Sequence, residues 1–137
     1  MSGTGDENLR KILAFAAVVE IATGLALAVD PALVARLLIG AGAPVADASL
    51  GRSLGIAILA LGMACWPGRQ SVEKGSSAAF RAMLLYNVLT ALFLVYLFTV
   101  SHLGGVLLWP GAVLHAVVAS LLIWTGRRVR QSKVGIQ

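Results

Sequence analysis

Charge is what this chain has least of. Asp, Glu, Lys and Arg together make up 12% of its 137 residues, about half the share of an ordinary soluble domain. That excludes a water-solvated globule with a charged shell. The single cysteine, Cys65, excludes an internal disulfide and any Cys-x-x-Cys redox pair. Beside Trp66 it reads as packing filler rather than a reactive thiol. The two histidines, His102 and His115, are too scattered to form a metal motif, so neither metal nor cofactor is expected. No nucleophile stands beside a base and no phosphate-binding loop is present. An enzymatic role therefore finds no motif to rest on. No cleavable leader is expected. Ala26-Leu27-Ala28 imitates a cleavage site, but Glu20 interrupts the apolar region and Asp6 and Glu7 dilute the basic start.

What is present is apolar. Hydrophobic residues reach 58% and mean hydropathy is +0.88. Four stretches, at about 12–29, 47–66, 82–101 and 104–125, approach the length that crosses a hydrocarbon core of ~30 Å at ~1.5 Å per residue. The fold class expected is all-α: one polytopic membrane domain over 1–137, an up-down-up-down bundle of four transmembrane helices. Residues 31–39 form a short apolar helix after the first span. With Asp30 as its cap and Pro31 first, it is expected to lie in the interface.

The net charge of +5 points to orientation rather than to nucleic acid. Arg10, Lys11, Arg69, Lys74, Arg81, Arg127, Arg128, Arg130 and Lys133 fall at the N-terminus, the second loop or the C-terminus. Only Arg36 and Arg52 fall in or beside the first loop. The positive-inside rule then puts both termini in the cytoplasm, with the protein in the cell inner membrane. The Arg127–Arg130 segment reads as an orientation signal that can also meet anionic headgroups.

Along the chain, residues 1–8 are expected to be disordered, and 41–46 and 70–79 to be loops. Gly51, Gly55 and Gly62 make the second span glycine-rich, and Gly51 with Gly55 forms a small-x-x-x-small pair suited to close helix packing. His102-Leu103-Gly104 reads as a tight turn between antiparallel helices, and Pro110 as a kink near the outer end of the last span. Trp66, Tyr96, Trp109 and Trp124 fall near span ends, as an aromatic belt requires.

Glu20 most needs a reason, because an ionisable group at mid-membrane costs at least ~2.5–3.5 kcal/mol on insertion scales. Counted from the cytoplasmic helix ends, Glu20 lies roughly 12 Å deep, Asn87 roughly 9 Å and His115 roughly 16 Å, with Arg52 higher at about 21 Å. A cluster of Glu20, Asn87 and His115 with Arg52 above it is geometrically open. Paired with Arg52, Glu20 would fix helix register. Beside His and Asn, it would hold or pass a proton. With His115 alone, it offers a metal only two scattered ligands.

The four spans, the acid in the first and Gly51-Arg52-Ser53-Leu54-Gly55 opening the second resemble the DoxX-like group of small four-helix membrane proteins. The likeness covers 9–128. It implies an up-down-up-down bundle and, in some members, association with membrane redox or thiol-stress complexes. No catalytic residue carries over, since redox cysteines are lacking. The first functional expectation is an accessory or scaffolding subunit of a membrane complex or homo-oligomer, with lipid and other membrane helices as partners. The alternative is a small proton-coupled transporter or channel using Glu20. Third comes a membrane redox or cofactor-binding protein. Small multidrug transporters share the acid in a first short helix, but this chain has a longer first loop, Arg52, and no aromatic-rich cation pocket.

Overall fold

A computed structural model describes residues 3–41, 47–67 and 76–134, and these are all-helical. In chain order the helices are α1 (Gly3–Val29), α2 (Pro31–Ile39), α3 (Ala48–Ala64), α4 (Ser76–Thr99) and α5 (Leu108–Val134). Three are long and apolar enough to cross a membrane, over Glu7–Val29, Ala78–Thr99 and Leu108–Val129. The fourth expected span corresponds to α3, apolar but only 17 residues long. Of the expected turn at 41–46, residues 42–46 lie outside the described residues, as do residues 70–75 of the expected loop at 70–79, with Lys74, and Arg69 before it. Residues 76–79 are not loop but the first turn of α4.

Several helix ends differ from expectation, each for a local reason. Residues 3–8 are helical, not disordered. The Glu7 carboxylate accepts an ion pair from Lys11 one turn later, at 2.6 Å, in the order that supports a helix. At its far end α1 stops at Asp30. The Asp30 side chain accepts from the Leu33 N–H at 2.9 Å while Pro31 takes the first position of α2, where its missing N–H costs nothing. Asp47 caps α3 in the same way through the Ser49 N–H at 2.8 Å. Pro110 produces no interior kink, because α5 begins at Leu108 rather than 104 and the first helical turn tolerates proline. Nor does α5 end at Thr125. Phe80 lies over Gly126, and the Arg128 guanidinium stacks on Trp124 one turn back, 3.9 Å from the ring centroid.

The connection from α4 to α5 is longer than a tight turn. His102 takes φ +52°, a left-handed conformation that disfavours a side chain. The chain then crosses the end of α2: the Gly105 N–H donates to Leu38 O at 2.9 Å and the Leu107 N–H to Leu37 O at 2.8 Å. Those carbonyls belong to the last turn of α2, which has no intrahelical partners for them. A side chain at Gly105 would run into the Leu37 carbonyl.

Helices α1 and α3 run antiparallel in close contact. A Cβ on Gly24 would lie 2.5 Å from Leu59 N and 2.7 Å from Gly55 O, and one on Gly62 would lie 2.9 Å from Ala17 O. Helices α4 and α5 pair the same way, with Phe98 edge-on to Trp109 at 5.0 Å near one end and Phe80 against Gly126 near the other. The core joining the two pairs is built from Leu13, Ala16, Ala17, Cys65, Met83, Val118 and Leu122. Cys65 is buried and its thiol faces the Ala79 carbonyl at 3.7 Å.

Candidate functional site

Among the described residues the core faces of α1 and α4 each carry one buried polar residue, Glu20 and Asn87, and that of α5 carries two, His115 and Thr125. On α1 the buried positions are Leu13, Ala16, Ala17, Glu20 and Gly24; on α4, Met83, Asn87 and Leu94; on α5, Leu108, Ala112, His115, Val118, Ala119, Leu122 and Thr125. The spacings of three, four and seven residues keep each set on one stripe. Glu20, Asn87 and His115 therefore face the same interior. Glu20 and Asn87 are each only 1% exposed.

Asn87 sets the orientation of the group. Its amide nitrogen donates to the Met83 carbonyl at 2.9 Å, which turns its oxygen toward His115 Nδ1, also at 2.9 Å. A carboxamide oxygen only accepts, so Nδ1 carries the proton and donates to it. That network assigns the His115 tautomer. Tyr86 closes one side, its ring edge-on to the imidazole at 5.8 Å.

Glu20 is the member left over. Its Oε1 lies 3.9 Å from His115 Nδ1, beyond hydrogen-bond range. The Tyr86 hydroxyl is within electrostatic reach of the carboxyl. Even so, neither buried oxygen completes a hydrogen bond of good geometry among the described residues. An unpartnered buried carboxylate is costly to hold. A movement of about 1 Å would bring it onto His115 Nδ1, in competition with Asn87.

Arg52 is not part of this group. It is exposed, and it lies off the stripe by which α3 meets the bundle: Gly51, Gly55, Ile58, Gly62 and Cys65. Gly62 stands against Ala17 and Ile21, level with Glu20, whereas Gly51 stands against Pro31. Arg52 thus sits about 15 Å further along the helix axis than the Glu20 level, too far for a side chain to return. Gly55 and Gly62 face α1, where a Cβ on Gly55 would lie 2.6 Å from Ala28 N, while Gly51 faces Pro31 at the start of α2. Gly24, their counterpart on α1, is a packing residue that the glycines of the second span alone do not reveal. The ladder Ala17, Gly24, Ala28 is its signal in the sequence.

Among the described residues no cluster of three His, Cys, Asp or Glu side chains is arranged to hold a metal. Thr125, also buried, has a hydroxyl without a hydrogen-bond partner among the described residues. No family model, no curated protein and no solved structure matches this chain.

Proposed function

We propose that the chain is a four-span integral membrane protein of the inner membrane, with both termini in the cytoplasm, in which Glu20 takes up and releases a proton. This makes it a small proton-coupled transporter or channel. One observation carries the reading: a carboxyl group in the core that, among the described residues, has no Lys or Arg beside it and no hydrogen bond of good geometry at either oxygen. A carboxylate kept only for structure would be expected to have its counter-charge, and Arg52, the expected partner, is exposed. His115 stands within one small movement of Glu20, its tautomer held by Asn87. A proton arriving at Glu20 cancels its charge. A proton leaving creates an anion toward which the His115 N–H can swing from Asn87. The α3 helix spans in this proposal despite its length, since a bilayer thins locally to meet a short helix.

The accessory or scaffolding role, in a homo-oligomer or a larger complex, is the second proposal. Leu85, Leu89, Leu92, Phe93 and Tyr96 of α4 are exposed along one broad face, which suits lipid or another helix equally well. The DoxX-like resemblance agrees with either.

Reconstitution of the full chain into liposomes with an internal pH dye separates the two. An imposed potential should drive proton entry above that of empty vesicles, and Glu20→Gln should abolish it while keeping the unfolding midpoint. Wild-type flux equal to empty vesicles, or flux retained in Glu20→Gln, would overturn the proton-coupled role. A large loss of stability in Glu20→Gln would return Glu20 to a structural one.

A further inference from the structure

A hollow of about 550 Å³ opens where the start of α1 meets the end of α3. One wall is a single face of α1, made by Glu7, Arg10, Lys11 and Ala14 at intervals of three and four residues. The other is Trp66 and Pro67, which follow the last turn of α3. Trp66 is half exposed, its indole offering an apolar face and one N–H donor, the amphipathic combination favoured at membrane interfaces.

Among the described residues, the charges lining this hollow do not cancel. Lys11 is paired with Glu7, which leaves Arg10 as their net single positive charge. The end of α3 adds its carbonyls, and a helix C-terminus carries partial negative charge. A multiply charged anion would therefore meet repulsion from Glu7 and from α3, whereas a single negative charge on the Arg10 side is balanced. Arginine suits that task, since its planar fork matches two phosphate oxygens at once.

What continues from the hollow is apolar. Ala14 leads in line along α1 to Val18, Ala22 and Leu25, all three of them exposed. From Ala14 to Leu25 is about 16 Å of helix, close to half of a hydrocarbon core of ~30 Å. A headgroup-sized recess with one net positive charge is thus continuous with an apolar lane one leaflet long.

We propose that this hollow is a binding site for a monoanionic phospholipid. Its phosphodiester sits on Arg10, its glycerol region against Trp66, and one acyl chain runs along Ala14, Val18, Ala22 and Leu25. Free phosphate shares the headgroup chemistry but would leave the lane unused. The site does not depend on proton handling by Glu20, only on the chain lying in a bilayer.

The test uses the full chain with Trp109→Phe and Trp124→Phe, so that Trp66 is the sole tryptophan. It is reconstituted into phosphatidylcholine vesicles holding a minor share of either phosphatidylglycerol or phosphatidylcholine brominated near the carbonyl end of its chains. Brominated phosphatidylglycerol should be enriched at Trp66, by its quenching, roughly fivefold over the zwitterionic lipid, the preference expected of one basic side chain near the surface. Arg10→Gln should remove the preference, and Ala14→Leu should weaken it by narrowing the hollow without touching charge. Arg128→Gln, which is outside the hollow, should keep it, and inorganic phosphate should not change it. Equal quenching by the two lipids, a preference that survives Arg10→Gln, or one left undiminished by Ala14→Leu overturns the proposal. Loss in Arg128→Gln to the same degree reduces it to a diffuse surface charge and overturns it too. Suppression by inorganic phosphate would reassign the hollow to a soluble anion.

Discussion

Replacing Gly24 by alanine tests the packing of α1 on α3 through the sign of the effect. In a helix exposed to lipid, glycine to alanine gains up to about 1 kcal/mol of helix propensity. At Gly24 the new methyl would meet Leu59 N at 2.5 Å and Gly55 O at 2.7 Å, both backbone atoms that no rotamer change can move aside. Ordinary contact begins near 3.4 Å, so the helices must part by nearly 1 Å along this seam. A gap of that size forfeits between a quarter and a half of each dispersion contact. Overpacking costs ~1–3 kcal/mol, and rigid neighbours argue for the upper end. Less the propensity gain, a net loss of about 2 kcal/mol is expected. Gly55→Ala should cost a similar amount, because its methyl would meet Ala28 N at 2.6 Å and Gly24 O at 2.7 Å. The two clashes are relieved by one separation, so the double variant should lose about 2–3 kcal/mol rather than the sum, a coupling of the size seen for residues in contact. Gly104→Ala is the control, since among the described residues its methyl would find only Phe98, at 3.6 Å, and it should change stability by less than about 0.5 kcal/mol. Denaturant-induced unfolding in mild detergent, followed by far-ultraviolet circular dichroism, reads all four. A Gly24→Ala variant more stable than the wild type would refute the close α1–α3 seam.

Three further changes probe other parts of the molecule by the same unfolding measurement. Arg52→Gln should shift stability by less than about 0.5 kcal/mol, as for other exposed surface positions; a loss of several kcal/mol would restore an Arg52–Glu20 pair. Asn87→Leu removes the partner of the His115 Nδ1–H and should cost about 1–3 kcal/mol, toward the lower end if that N–H swings onto Glu20, 3.9 Å away. If it costs nothing, the tautomer assignment fails. His102→Gly should stabilise by up to about 1 kcal/mol, because glycine takes the left-handed backbone at His102 without the usual penalty; destabilisation would mean that the imidazole itself holds the connection.

Helix identities were legible because apolar runs and the Asp-Pro boundary act locally. The capping of α2 by Asp30 and of α3 by Asp47 follows from side chains two or three residues from the groups they satisfy. Depth was legible too, since counting residues along a helix brings Glu20, Asn87 and His115 to similar levels. Azimuth separates Arg52 from Gly51. One residue turns the side chain by about 100°, enough to carry it off the packed face of α3, where Gly51 meets Pro31, and into the open. The α4–α5 connection was illegible for a different reason. Its course depends on carbonyls at the end of α2, and no local pattern at His102 or Gly104 announces a partner so distant in the chain.

The strap from Gly105 and Leu107 to the end of α2 also has a consequence in time. The α1–α3 seam involves nothing beyond the end of α3, so it can form while the second half of the chain is still being made. The Leu37 and Leu38 carbonyls must wait, because their donors follow α4. Until the connection arrives those carbonyls need water, which favours an α2 resting at the bilayer surface during synthesis. Closure of the strap is then a late step, and it draws α2 against the finished bundle only when both helix pairs exist.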